Sequence, residues 1–141
     1  RDACVHAPAV FDSPDNPISA GTYGAGIAGA ACSLAAVDAV IRGAGSSAFA
    51  AVRPPGHHAL RDRAMGFCFF NNAAIGAEHL LRRHGLRRVL VVDWDLHHGN
   101  GTEHIFEREP RVLFCSSFQH PFYPFTGHET DTPHIVNITL P

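Results

Sequence analysis

The sequence predicts an α/β fold in which a mainly parallel sheet is doubly wound into three layers. Three observations predict it. Short apolar runs are typical of buried strands, segments with helical spacing alternate with those runs, and polar side chains collect where the runs end. The chain has 141 residues, 45% hydrophobic and 17% charged, which is enough for one core.

The first half is predicted to contain one helix and one strand. Residues 1–19 are rich in Pro and Asp and are predicted to be irregular. Ala20 to Arg42 is predicted to be helical, because its later half has apolar residues at helical spacing, namely Leu34, Val37, Val40 and Ile41. The apolar run Ala48 to Val52 is predicted to be the first strand, and Arg53–Gly56 the loop after it.

The second half alternates between helices and strands. The predicted elements are a helix over 71–84 that stops at Gly85, a strand over Arg88–Val92, a helix over Gly101–Arg108, and strands over Arg111–Cys115 and His134–Leu140. Neither an internal repeat nor an interdomain linker is visible. Residues 1–141 are therefore predicted to be part of a single domain.

Net charge and cysteine content indicate which partners and which cellular compartment to expect. A net charge of −2 disfavours nucleic acid or an anionic membrane as an obligate partner. The four cysteines form no C-x-x-C pair, which favours reduced thiols in the cytoplasm. No signal peptide is recognised and no apolar run is judged long enough to span a bilayer. All eleven basic residues are Arg, so no residue here can act as a Lys nucleophile.

Unusual polar residues follow the predicted strands, where parallel sheets bind ligands. VVDWDLHHGN at 91–100 places Asp93, Asp95 and His97 at D-x-D-x-H spacing. Carboxylate oxygen and imidazole nitrogen are ligands that Zn²⁺ accepts, and a catalytic zinc site uses three protein ligands plus water. The spacing therefore indicates a metal site at this strand end.

A second histidine pair follows the first predicted strand, in PPGHHA. His57 and His58 are adjacent, so both can face one site only if the loop bends, which the preceding Pro and Gly residues permit. Neutral imidazoles can act as general base and general acid near neutral pH. Each ring would need an orienting partner, and Asp93 and Asn100 are the available ones.

Three blocks carry a family resemblance: RPPGHHA (53–59), MGFCFFNNAAIGA (65–77) and DWDLHHGNGT (93–102). In order and spacing they resemble the signature blocks of the zinc-dependent histone deacetylase family, which has the arginase/deacetylase fold. Asn100, where class I enzymes have Asp, is similar to class II enzymes and to bacterial relatives that include acetylpolyamine amidohydrolases. The resemblance implies hydrolysis of an acetyl or short acyl amide on a lysine or polyamine nitrogen.

The resemblance also implies roles for individual residues. Asp95 and His97 match two zinc ligands, and the tandem histidines match the proton-transfer pair. His57 would be held by Asp93, and His58 by Asn100. Since an amide orients a ring without adding charge, we expect His58 to be the more readily neutral of the two and the better general base.

Further matches concern substrate and potassium. Gly66 and Phe67 match residues that line the acyl-lysine tunnel, Tyr123 matches the opposite aromatic wall, and Asp12 is aligned with a rim acid that holds the substrate backbone. The family also binds K⁺. By position, the backbone around Asp93, Asp95 and His97, with the Ser116 hydroxyl, would form one such site.

The third zinc ligand, an Asp in this family, and the carbonyl-polarising Tyr match nothing before Pro141. Glu129 and Asp131 are not expected to substitute for that ligand. The chain has no initiator Met and stops directly after an apparent strand. We therefore expect it to be the N-terminal to central part of a catalytic domain, binding zinc weakly and inactive alone.

Two alternatives stay open. A binuclear Mn²⁺ ureohydrolase shares the fold but would need further Asp and His ligands in place of the tandem histidines. A non-catalytic domain that binds acyl amines, or acts as a scaffold, would keep every site residue visible here. Oligomeric state is undetermined by the sequence.

Overall fold

The computed structural model describes residues 1–6, 8–130 and 132–141. Within them lie four helices and five strands. In chain order these are α1 Asp2–Val5, β1 Ala9–Val10, β2 Pro17–Ile18, α2 Thr22–Ile41, α3 Asn72–Arg82, β3 Val89–Asp93, α4 Asn100–Phe106, β4 Val112–Gln119 and β5 Ile135–Leu140.

The main sheet has three parallel strands in the order β3-β4-β5. Its helix-facing side packs against α3 and α4, with a core of Ala74, Ala77, Leu81, Phe106 and Val112. The α/β class and the parallel sheet are thus confirmed, and the described residues form two of the three predicted layers. The other face of the sheet exposes apolar side chains, namely Leu90, Val92, Leu113, Val136, Ile138 and Leu140.

Parallel pairing places the polar strand ends at one edge. Asp93 at the end of β3 lies opposite Ser116 of β4. The segment Trp94–Gly99 continues from that end and leads directly into α4. The polar residues that could bind a ligand therefore collect at the carboxyl edge of the sheet, where α/β folds bind ligands.

The strand predicted over Ala48–Val52 is wrong. The segment has no regular secondary structure, and no described strand pairs with it in a ladder. Phe49 is 91% exposed, so apolar composition alone does not bury the run. A strand needs a hydrogen-bonded neighbour, and composition does not specify one.

The prediction that residues 1–19 are wholly irregular is also wrong. α1 is a single turn of helix, and β1 and β2 form a small antiparallel pair in which Ala9 lies opposite Ile18. Strands of two residues are too short for an alternating pattern to reveal. This pair fixes the segment 11–16 between them.

Helix α2 corrects the statement that no apolar run is long enough to cross a bilayer. Thr22–Ile41 has 20 residues and a mean hydropathy of 1.7, which meets that requirement by length and composition alone. In the structure α2 packs against α3. Its buried residues Gly26 and Gly29 lie against Phe70 and Asn72, which favours a role in the helix layer.

Candidate active site

The loop after Val52 bends at the tandem histidines. The Ala59 N–H donates to the Gly56 carbonyl at 3.0 Å, so His57 and His58 are the central residues of a tight turn. Their ring centroids lie 4.0 Å apart. Both side chains line one open cavity of about 390 Å³, as the bend predicted from the sequence requires.

Each imidazole has a different orienting partner. His57 Nδ1 lies 2.9 Å from Asp93 Oδ2, and His58 Nδ1 lies 2.8 Å from Asn100 Oδ1. Because an amide oxygen can only accept, the His58 Nδ1 carries the proton and its Nε2 keeps a lone pair. Burial, together with the neighbouring His57 charge, lowers the pKa of His58 to about 4. His58 is therefore neutral and suited to accept a proton.

The two predicted metal ligands are adjacent in space. His97 Nδ1 lies 3.0 Å from Asp95 Oδ1, and both side chains line the same cavity as the tandem histidines. Ligand atoms around a tetrahedral zinc ion are about 3.3 Å apart, so this pair fits zinc with little movement. Burial works to raise the pKa of Asp95, but the His97 backbone N–H and the charge on His57 lower it overall.

Among the described residues, no third side chain brings a ligand atom close to both Asp95 and His97. Glu129 has 86% of its side chain exposed, with His128 as its nearby partner. Asp131 lies outside the described residues. The site as described thus supplies two ligands, and the downstream Asp stays a prediction.

The block that begins at Met65 opens with a two-residue turn. Gly66 and Phe67 both have positive φ, 57° and 63°, between the bridged residues Met65 and Cys68. Phe67 is strained in this region, since a side chain disfavours it. A Cβ on Gly66 would lie 2.3 Å from the His58 ring, so glycine is also required for close approach.

Side chains from the N-terminal segment hold this turn. Asp15 Oδ2 accepts the Gly66 N–H at 2.7 Å, and Asn16 Oδ1 accepts the Phe67 N–H at 2.9 Å. Asp15 also lines the cavity, a position the sequence analysis did not identify. The N–H groups of a tight turn need hydrogen-bond acceptors, so the turn itself predicts that acceptors lie nearby. It does not indicate that Asp15 and Asn16 supply them.

Tyr123 closes another side of the cavity. Its ring packs edge-on against His58 and His97, with centroids 5.1 and 6.1 Å away. Its hydroxyl donates to Asp15 Oδ2 at 3.1 Å. Burial, with the Asp15 carboxylate, raises the pKa of Tyr123 to about 12, so the phenol stays a neutral donor.

Two further predicted residues, Asp12 and Ser116, do not line the cavity of the tandem histidines. Asp12 Oδ2 accepts the Ala64 N–H at 2.8 Å, and Asp12 does not line the cavity with the tandem histidines. Its predicted rim role stays a prediction. Ser116 is fully buried, and its hydroxyl lies 3.4 Å from the Gly99 N–H behind the ligand pair.

Asn71 and the start of α4 tie the three blocks together. The His57 carbonyl accepts the N–H groups of Gly101 and Thr102 at 2.9 and 3.2 Å. Asn71 caps α3 by accepting the Ala74 N–H, and its amide donates to Thr102 and to the Ala59 carbonyl. The tandem-histidine loop is therefore held from two helices.

His98, which the sequence left without a metal role, is a buried anchor. Its Nδ1 lies 2.8 Å from the Thr126 hydroxyl and its Nε2 lies 2.8 Å from Glu103. Glu103 also accepts from Thr130 and Asn137. These contacts fasten the segment that follows Tyr123.

We expect Glu103→Gln to destabilise the protein by about 1–3 kcal/mol, since three donors lose a charged acceptor. Burial works to raise the pKa of Glu103, but hydrogen bonds from His98, Asn137 and Thr130 lower it below its ordinary 4.5. Its stabilising effect is therefore present above pH 4.5 and is lost as pH falls through the lower folded-state pKa. Urea unfolding at pH 7 and at pH 3 measures this. Glu107→Gln, an exposed acid after α4, is the matched control.

Asn100→Asp should raise the pKa of His58, because a carboxylate 2.8 Å away favours the imidazolium. A general base must be neutral, so activity is lost as pH falls through its pKa. We expect the low-pH limb of kcat/KM to move up by about one pH unit or more. If the low-pH limb of the kcat/KM profile of the full-length protein did not move, that result would count against His58 as the general base.

Comparison with known proteins agrees with this geometry. The family model described as "Histone deacetylase domain" matches residues 2–141. A histone deacetylase-like amidohydrolase of Pseudomonas aeruginosa is 48% identical over 117 residues, covering 82% of this chain and 31% of that protein. Human polyamine deacetylase HDAC10 is 52% identical over 99 residues, covering 68% of this chain and 15% of that protein.

The fold agrees as well. The crystal structure of the HDA15 HD domain superposes with a TM-score of 0.90 at 36% identity, covering 98% of this chain and 42% of that one. The chain therefore spans less than half the length of each of these three relatives. On the family match and on this likeness, the chain belongs to the histone deacetylase family.

Proposed function

We propose that this chain contributes to a deacetylase site that hydrolyses an acetyl or short acyl amide on a lysine or polyamine nitrogen. The products are acetate, or the corresponding acid, and a free amine. One observation carries the proposal. Two imidazoles with different partners, Asp93 and Asn100, line the same cavity as the ligand pair Asp95 and His97.

Asp95 Oδ1 and His97 Nδ1 would hold Zn²⁺, together with the predicted downstream Asp. When bound, the ion supplies Lewis-acid polarisation of an amide carbonyl. The chemistry of the donors supports zinc, since one carboxylate and one imidazole are ligands that it prefers.

The tandem histidines would move protons. The neutral His58 Nε2 accepts a proton from the attacking water. His57, whose Nδ1 lies 2.9 Å from the Asp93 carboxylate, is oriented by that contact and donates a proton to the leaving amine nitrogen. The water oxygen first forms a bond to the acyl carbon, and the C–N bond then breaks as the amine nitrogen receives the proton from His57.

Phe67, Gly66 and Tyr123 would bind the substrate's alkyl stem. Phe67 and Tyr123 line the cavity from different segments, and aromatic faces hold methylene chains by apolar contact. Asp12 is kept as the proposed rim acid for a substrate backbone.

Potassium binding is a further part of the proposal. The backbone around Asp93, Asp95 and His97, with the buried Ser116 hydroxyl, offers hard oxygen ligands next to the zinc pair. We also propose a cytoplasmic protein whose partners are its substrates, acetyl-lysine proteins or acetylpolyamines, without nucleic acid or membrane. Its oligomeric state is left open.

The test is an assay of the full-length protein that carries this sequence, loaded with zinc. We expect acetate release from an acetyl-lysine peptide, from acetylputrescine, or from both. Chelation should abolish it and zinc should restore it. Stoichiometric zinc with hydrolysis of neither substrate, nor of longer acyl analogues, would instead favour a non-catalytic binding or scaffold domain. The isolated 141-residue chain should release no acetate.

A further inference from the structure

A second group of side chains that could hold a metal ion lies where α2 meets the end of α3. Asp38 of α2, His79 of α3 and His84, just beyond α3, bring one ligand atom each to within 4.8 Å of one another. His79 Nε2 lies 2.8 Å and His84 Nε2 2.7 Å from the same oxygen, Asp38 Oδ1. The histidine rings meet edge to face with centroids 4.9 Å apart.

This group is separate from the candidate active site. His79 and His84 lie at the end of α3, before the first residue of β3, whereas Asp93 is the last residue of β3. The two groups thus lie toward opposite edges of the parallel sheet. None of these three residues lines the cavity of the tandem histidines.

The chemistry of the donors suits a transition metal. Two imidazole nitrogens and one carboxylate oxygen form a three-ligand set that Zn²⁺ accepts, with water completing the coordination. The present N···O distances are those of hydrogen bonds, and a tetrahedral ion would require ligand atoms about 3.3 Å apart. An opening of roughly 0.5 Å, available to surface side chains, would create that spacing.

The carboxylate of the group is charged and keeps one oxygen for a metal. Hydrogen bonds from His79 and His84 lower the pKa of Asp38 to about 2, so the carboxylate is ionised at ordinary pH. Arg42 pairs with the other carboxylate oxygen at 3.5 Å, which leaves Oδ1 to the histidines. The three side chains are only 21–28% exposed, so they are partly ordered by packing yet open to solvent.

We propose that Asp38, His79 and His84 form a second divalent-metal site of the zinc type, which joins α2 to the end of α3. A metal here would add a cross-link between two helices that already pack against each other. The inference depends on these contacts alone and does not rest on the proposed function.

The competing explanation is a clamp made only of hydrogen bonds. His79→Gln distinguishes the metal site from the hydrogen-bonded clamp. Glutamine can still donate a hydrogen bond to Asp38, but it has no imidazole nitrogen to bind a metal. The background is the full-length protein with His97→Ala, so that the candidate active site is disabled. Zn²⁺ binding is measured by calorimetry, and Co²⁺ binding by visible absorption.

We expect the His97→Ala protein to bind Zn²⁺ at a site that the added His79→Gln weakens by at least about 100-fold, the upper range for losing even an outer partner. His84→Gln should do the same, whereas His104→Ala, an exposed histidine on α4, should change nothing. Zinc should raise the melting temperature of the His97→Ala protein and lose that effect with His79→Gln. Unchanged zinc binding in both glutamine variants, or no zinc binding in the His97→Ala protein, would overturn the proposal.

Discussion

Replacing His97 with alanine is expected to remove zinc and amide hydrolysis together from the candidate active site. His97 Nδ1 lies 3.0 Å from Asp95 Oδ1, so one of the two described ligand atoms is lost. Metal polarisation of a carbonyl supplies several kcal/mol to the transition state, and each 1.36 kcal/mol is tenfold in rate. We expect kcat/KM to fall at least about 1,000-fold, roughly 4 kcal/mol. Zinc content after dialysis and kcat/KM, both of the full-length protein, measure the two effects.

His104→Ala is the matched control for this change. His104 is an exposed histidine of α4 that does not line the cavity of the tandem histidines. It should keep both activity and the zinc bound at Asp95. A His97→Ala protein that retained that zinc and full activity would show that the ligand pair is assigned wrongly.

Local pattern predicted the helices and parallel strands well because periodicity records which side of an element is buried. α2 was predicted over Ala20–Arg42 and forms over Thr22–Ile41. Ala48–Val52 shows the limit of that signal. Its composition favours a strand, but pairing depends on residues distant in sequence, and Phe49 remains almost fully exposed.

The site residues were predictable where the chain itself brings them together. Asp93, Asp95 and His97 lie within five residues, and the turn at Gly56–Ala59 follows from local Pro and Gly. Asp15 was not predictable in this way. Asp12 and Asp15 occupy one short polar stretch, and their long-range partners distinguish them: Asp15 accepts from Gly66 and Tyr123, whereas Asp12 accepts from Ala64.

Long-range anchors were missed for the same reason. His98 matches no metal ligand of the family and is expected to be structural, but local pattern does not reveal its partners Thr126 and Glu103, which make it the link between α4 and the Tyr123 segment. Hydrogen bonds between segments that are distant in sequence leave no periodic trace. Such hydrogen bonds are recognised only when the fold places both partners next to each other.

Gly101→Ala is expected to damage stability and activity together, although Gly101 carries no functional group. A Cβ at this position would lie 2.4 Å from the Ala59 carbonyl oxygen and 2.5 Å from the His58 carbonyl carbon. Both are backbone atoms, so the start of α4 must move away from the tandem-histidine turn. Overpacking of this kind costs about 1–3 kcal/mol. Urea unfolding and kcat/KM of the full-length protein measure the outcome.

The activity loss should exceed what instability explains, because Gly101 lies directly after Asn100, which orients His58. A displacement of about 1 Å in a catalytic group can cost about 100-fold in rate. Gly24→Ala is the matched control, since no atom lies within 4 Å of a Cβ there and alanine favours a helix. That variant should be as stable as the parent or slightly more so, with unchanged kcat/KM. If Gly101→Ala behaved like Gly24→Ala, the contact between α4 and the turn would not be what positions the histidines.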